Sequence, residues 1–212
     1  MSVAPTRPHL ATLADEFLPI YDVSDAVAMV VAADLDVTWH ALLRADLIEV
    51  GRRKPLVGVL ATVRMLPDLV AQILHGERTS APERMTLHRL AETPLAEGGW
   101  TLLGERPDEE IALGLVGKFW RPVIEFAPVG AADFADFAEP GYAKTIYSLS
   151  VRQLDDSQTL ITGLMRTATT DEHARRWFRR YWTFGVGSGA HLLVNGLLEV
   201  VRQDAEAGGK LT

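Results

Sequence analysis

Apolar residues recur along this chain first at mixed, then at alternating, then at helical spacing, and the three regimes predict different elements. Residues 1–12 carry two prolines among small polar residues and read as a loose arm. Leu13–Phe17 has room for one helical turn before Pro19. Ser24–Ala32 sets Val27, Met29 and Val31 on one face of a first strand. Asp34 is placed to cap a helix in which Val37, Ala41 or Leu42, and Ala45 recur beside Trp39. Pro55–Ile73 is a second helical region, broken near Pro67. From there the period shortens to two. Met85–Ala91, Trp100–Arg106 and Glu110–Trp120 read as strands, with a turn at Pro107-Asp108-Glu109 and a bulge or close contact expected at Gly114 and Gly117. Val123–Ala127 reads as a short strand and Ala131–Ala138 as a brief helix. Ala143–Leu154 and Gln158–Thr169 are long strands joined at Asp155-Asp156-Ser157, with Ile161, Gly163, Met165 and Thr167 facing inward.

The period returns to three or four after Asp171. Thr169–His173 is a plausible helix cap with acids at the positive end. Trp177, Tyr181, Phe184, Ser188, His191 or Leu192, Asn195 and Glu199 would then line one face of a helix running to Ala207, with Arg175, Arg176, Arg179 and Arg180 largely opposite. Gly185, Gly187 and Gly189 weaken its centre by about 0.8–1 kcal/mol each relative to alanine. Such a helix is expected to bend there, or to let something approach its backbone. Strand, two helical regions, antiparallel meander and long helix make an α+β protein with the sheet packed on the terminal helix. The expected organisation is an arm over 1–21, one domain over 22–207 and a tail over 208–212.

Composition narrows the function. With 21 basic and 28 acidic residues the net charge is −7, which argues against a general nucleic-acid binder. The arginines at 175–180 are the dense basic patch, for which a solvated helix face is the plain reading. The absence of cysteine excludes disulfides, thiolate catalysis and Cys-ligated metal. No basic region followed by an apolar run marks the start, so a cytoplasmic protein is expected. Pro55–Leu74 is strongly apolar but contains Arg64, Pro67 and Asp68, whereas a spanning helix needs roughly 20 mostly uncharged residues. Stable membrane insertion is therefore not expected. Packing on the core or forming a lid over a cavity suits that segment better.

Three stretches carry a family resemblance: Glu110–Pro122, ending Gly-Lys-Phe-Trp-Arg-Pro; Phe137–Lys144, Phe-Ala-Glu-Pro-Gly-Tyr-Ala-Lys; and Thr169–Trp182, with Arg-Arg-Trp-Phe-Arg-Arg-Tyr-Trp. Together with the element order from Asp22 to Ala205, they resemble the START-like superfamily, also called helix-grip or SRPBCC proteins, and within it a group of small uncharacterised bacterial-type members. The resemblance implies a curved antiparallel sheet wrapped around the C-terminal helix with a cavity between them. Relatives bind lipids, hormones or polyketides there, and a few catalyse cyclisation or hydration. Where that group is expected to carry an acid on the last strand, this chain has Leu164, which removes a carboxylate from consideration.

No dinucleotide, phosphate-loop, zinc-protease or nucleophile-elbow motif is present, and the six histidines lack metal-ligand spacing. No cofactor or metal is expected. The acids at 108–110 and 155–156 fall in turns, where solvent exposure accounts for them. The aromatics are more informative, because Trp100, Phe119, Trp120, Tyr147, Trp177, Tyr181 and Phe184 would mostly converge between sheet and helix. A filled core and an apolar pocket with a few orienting polar groups both fit. Small residues at Gly114, Gly117, Gly163 and Gly185 favour the pocket. Its candidate lining is Leu115, Phe119, Trp120, Tyr147, Leu149 and Met165 from the sheet, and Trp177, Tyr181, Phe184, Ser188 and His191 from the helix. Tyr147, Tyr181 and His191 are the candidates for proton transfer. Three functions follow: a binder of a hydrophobic or amphipathic small molecule, which is preferred; a polyketide cyclase or hydratase-type enzyme; and a protein-interaction module using the arginine face or Pro55–Leu74. The sequence does not select an oligomeric state.

Overall fold

The computed structural model describes residues 11–54, 84–95 and 99–208. Its elements are α1 (Leu13–Phe17), β1 (Val23–Val31), α2 (Leu35–Arg44), α3 (Leu47–Arg53), α4 (Leu87–Glu92), β2 (Thr101–Arg106), β3 (Glu110–Gly117), α5 (Ala131–Phe134), β4 (Ala143–Asp155), β5 (Gln158–Thr169), α6 (Glu172–Tyr181), a π-helical turn (Trp182–Val186) and α7 (Gly187–Gly208). The strands form one curved antiparallel sheet in the order β1-β5-β4-β3-β2. The long C-terminal helix packs across it, so the expected α+β, helix-grip arrangement is present. Among the described residues no single helix is long and apolar enough to cross a membrane.

Caps start the helices where polar side chains meet orphan amides. Asp34 accepts from the Val37 amide at 2.8 Å, and Asp171 from that of Ala174 at 2.7 Å. Met85–Ala91, expected as a strand, is helix α4 instead: the Thr86 hydroxyl caps it through Arg89, and Leu87, Leu90 and Ala91 recur at helical spacing. The expected strand Val123–Ala127 is reduced to a single bridge between Phe126 and Gly117. Helix α3, which the apolar pattern did not announce, starts at the Asp46 cap and sends Arg53 to Asp204 of α7 at 2.6 Å. The region 55–73, expected as helical and lid-like, lies outside the described residues.

Both sheet faces are covered. The inner face, carrying Val27, Ile111, Leu149 and Ile161, packs against α2 and α7 in the main core, which includes Trp39, Leu42, Val194, Leu198 and Val201. The outer face carries Leu103, Ala112, Val116 and Ile146 beneath α1 and Phe134 of α5. The expected N-terminal arm therefore includes a packed element from Leu13 on. Glu110, assigned to a solvent-exposed turn, is 4% exposed on this outer face. It accepts from the Leu13 amide at 2.9 Å and from the Ser148 hydroxyl, fastening α1 to the sheet. Leu164 packs in the same outer cluster, so the acid missing at that position would not have faced the C-terminal helix.

The glycines expected to leave space do the opposite. A Cβ on Gly163 would lie 2.4 Å from Val194, and one on Gly114 would lie 2.7 Å from the Phe134 ring and 2.8 Å from Leu103. Both permit close approach of a bulky partner, which fills the position. The bulge falls on β2 between Leu102 and Gly104, while β3 stays in register with β4 from Glu110 to Gly117.

The C-terminal element does bend: α6 and α7 meet at 64° across the π-helical turn. The Trp182 indole lies over Gly187, where a Cβ would be 2.6 Å from the ring. The inserted residue shifts the helical phase, so the buried stripe is Ala174 and Phe178 on α6, then Ala190, Val194, Leu197, Leu198, Val201 and Ala205 on α7. The stripe expected from Trp177 to Glu199 is displaced from it. Trp177 and Phe184 are 45% and 88% exposed, and neither joins the sheet–helix core.

Candidate functional site

Three rows of residues cross the inner face in register. The first is Val27, Gly163, Leu149 and Ile111; the second Asp25, Met165, Tyr147 and Leu113; the third Val23, Thr167, Thr145 and Leu115. Helix α7 closes the first row, with Val194 and Leu198 pressed on Gly163. Near the third row, Phe178, Tyr181 and Trp182 cluster with Phe119, Trp120, Leu115 and Val23. The π-helical turn lies between these two packing regions along the helix, as the second row lies between the other two on the sheet.

Tyr147 is the central residue of that second row. It sits on the middle strand with its ring edge-on to Trp100 at 5.3 Å, yet it keeps part of its surface accessible, while Met165 and Leu113 beside it are buried. Its hydroxyl has no hydrogen-bond partner among the described residues. Burial pushes its pKa up, and the nearby Tyr181 and Asp25 add to the shift. A tyrosine at the centre of a sheet that retains accessible surface borders a recess. Leu115 and Tyr181 are likewise partly accessible.

Asp25 continues the Val27–Met29–Val31 alternation by one step, and that signal was available in the sequence. Its carboxylate contacts Nδ1 of His191 on α7 at 2.9 Å. The pair borders an open groove of about 640 Å³, with Ser24, Trp182, Gly187 and Ser188 among its other lining residues. A second depression of about 320 Å³ adjoins it through Trp182 and Thr183 and is lined by Asp22, Arg175 and Arg179. Asp22 there accepts from the Thr169 amide at 2.7 Å and from Arg175 Nε at 2.8 Å. Asp25 thus belongs to the groove and to the Tyr147 row. A His–Asp pair beside a hydroxyl with a raised pKa can hold and transfer protons.

Of the residues expected to line a pocket, the structure brings Leu115, Tyr147, Met165 and Tyr181 to the inner face below the bend, and Ser188 and His191 to the groove. Leu149 is buried in the closed row. Phe119 and Trp120 pack beyond the end of β3 rather than over the sheet centre. Trp177 and Phe184 face outward, and sequence reasoning chose them in place of Phe178 and Trp182. Among the described residues no group of three or more His, Asp or Glu side chains could hold a metal ion.

The three stretches that carry the family resemblance meet at one corner away from the recess. Lys118 lies 4.4 Å above the Tyr142 ring and pairs with Glu125 at 2.5 Å. Glu125 also takes Arg121 at 2.6 Å and the Tyr142 hydroxyl at 3.2 Å. Gly141, at φ 87°, donates its amide to Asp171, and Tyr142 exchanges bonds with Thr170. These side chains join the end of β3, the start of β4 and the cap of α6.

No protein-family model matches the chain, and no curated protein matches it. Among solved structures it is similar to a conserved protein from Geobacillus kaustophilus at 10% identity over 86% of this chain and 95% of that one, with a TM-score of 0.38. A hypothetical protein from Helicobacter pylori shares 11% identity over 92% of this chain and 98% of that one, with a TM-score of 0.38. The Zhui aromatase/cyclase from Streptomyces sp. R1128 shares 14% identity over 87% and 93%, with a TM-score of 0.31. These are loose overlaps, and the fold description rests on the strand order and helix packing above.

Proposed function

We propose that the protein binds a hydrophobic or amphipathic small molecule against the inner face of the sheet at Tyr147, below the bend in the C-terminal helix. The observation that carries this is the accessible, unpartnered tyrosine at the centre of an otherwise buried sheet face. An apolar floor with one polar group is the usual character of a small-molecule site. The ligand's apolar part lies on Leu115 and Tyr147, and a polar end reaches Asp25 and His191. The resemblance to SRPBCC proteins supports the same reading, with a lipid-like or polyketide-like ligand. Native mass spectrometry with extraction of retained molecules, followed by displacement of an apolar dye, tests it. Retention of a defined ligand and loss of dye binding in Leu115→Trp are expected. A clean apo mass together with no saturable dye binding would refute the reading.

The Asp25–His191 pair favours a second reading, in which the bound molecule undergoes acid–base chemistry of the cyclase or hydratase kind. General acid–base catalysis contributes about 10²–10⁴-fold. His191→Ala should then lower turnover by that factor, and an unchanged rate would remove His191 from the chemistry.

A further inference from the structure

Helix α6 presents a surface unlike the rest of the chain. Arg176, Arg179 and Arg180 are exposed and have no acidic partner among the described residues, whereas Arg175 is held by Asp22 and Glu172 at 2.8 Å each. The Arg180 guanidinium stacks 5.5 Å from the Trp177 ring, and His173 meets the same ring edge-on at 6.5 Å. Immediately after the helix, at the bend, Phe184 is 88% exposed. On a chain of net charge −7, this face combines unpaired cations with two large exposed aromatics.

We infer that the outer face of α6 with Phe184 is a docking surface for an anionic phospholipid membrane. Arginines meet the phosphates, and Trp177 and Phe184 enter the headgroup boundary, as in other interfacial helices. Charge complementarity selects this occupant: an acidic protein is repelled by an anionic bilayer everywhere except at such a face. An exposed phenylalanine adds little to phosphate recognition along a nucleic acid but gains by leaving water at a bilayer boundary. The surface also adjoins the proposed site, because Arg179 and Thr183, the neighbours of Arg180 and Phe184, line the depression that continues into the Asp25–His191 groove. The inference rests on the ligand-binding reading in one respect, that the docked face would exchange an amphipathic ligand with the bilayer.

The test is sedimentation of the full chain with vesicles of phosphatidylcholine alone or mixed with phosphatidylglycerol, with apolar-dye binding measured in parallel without vesicles. Binding to the mixed vesicles only, weakening as salt rises, is expected. Phe184→Ser should weaken it about tenfold, and Arg176→Gln and Arg180→Gln about fivefold each. All three side chains are exposed, so the variants should keep wild-type circular dichroism and dye affinity. Failure to sediment with anionic vesicles would overturn the docking surface, as would equal binding by Phe184→Ser, which would mark a general polyanion face. Loss of docking with dye binding intact fails this inference alone, and absence of dye binding in the wild-type chain fails the ligand reading beneath it.

Discussion

Two neighbouring rows on the inner face of the sheet have opposite fates. In the row of Gly163, the absence of a side chain brings Val194 and Leu198 onto the backbone and the interface closes. In the row of Tyr147, one step along the strands, a large side chain stands below the break in the helix and keeps accessible surface. The smaller residue makes the tighter contact. Space in this fold arises from the helix phase: a continuous α-helix can follow one row, but the π-helical turn and the 64° bend divide the packing between two.

The comparison is broken most strongly at Leu198, which is fully buried against Gly163. Leu198→Ala leaves a cavity in the closed row and should cost about 2–5 kcal/mol in urea unfolding. Gly163→Ala tests the same contact from the other side. Its methyl would meet Val194, a branched side chain with little freedom to move, so about 1–3 kcal/mol should be lost. Adding Val194→Ala should recover part of that loss, and a double variant no better than the sum of its parts would show that the contact is not the cause.

The half beneath α6 depends on a cap. The amide of Ala174 holds the Asp171 carboxyl below the usual aspartate range against opposing desolvation, with Gly141 and His173 helping. A carboxyl whose pKa is depressed by folding contributes its stabilisation above the unfolded value and loses it as pH falls through the folded one. Acid titration followed by circular dichroism should therefore show a loss of about 1 kcal/mol below the ordinary aspartate range, absent in Asp171→Ala.

What the sequence made legible follows from what each signal depends on. The alternation in Ala143–Leu154 and Gln158–Thr169 depends on local backbone geometry and one buried face, and the strands are found there with the inward set Ile161, Gly163, Met165 and Thr167. The Asp34 and Asp171 caps are equally local. Met85–Ala91 misled because a six-residue helix offers too few positions to separate period two from period three and a half. The Trp177–Phe184 stripe misled because one inserted residue rotates everything after it, and the insertion is set by Trp182 packing on Gly187. Gly114 and Gly163 were read as voids because a glycine's neighbour lies far away in sequence, at Phe134 and Val194. Of the candidate site, Tyr147, Tyr181 and His191 were visible as residue types. Asp25 was missed although it lies in phase with Val27, because attention stopped at the apolar members of the alternation.

The smallest change sharpens the comparison most. Tyr147→Phe removes one oxygen and leaves the ring against Trp100. In a closed row, deleting a hydroxyl engaged in a hydrogen bond would orphan its partner and cost about 1–3 kcal/mol. The Tyr147 hydroxyl has no partner among the described residues, so the substitution should shift stability by no more than about 0.5 kcal/mol. Binding of a ligand that bonds to that oxygen should weaken by about 0.5–1.5 kcal/mol, and an apolar dye should be unaffected. Measured together, thermal unfolding and the two affinities separate a hydroxyl kept for a ligand from one that serves the core. A large loss of stability with both affinities unchanged would assign Tyr147 to the core, and the second row would then be closed like the first.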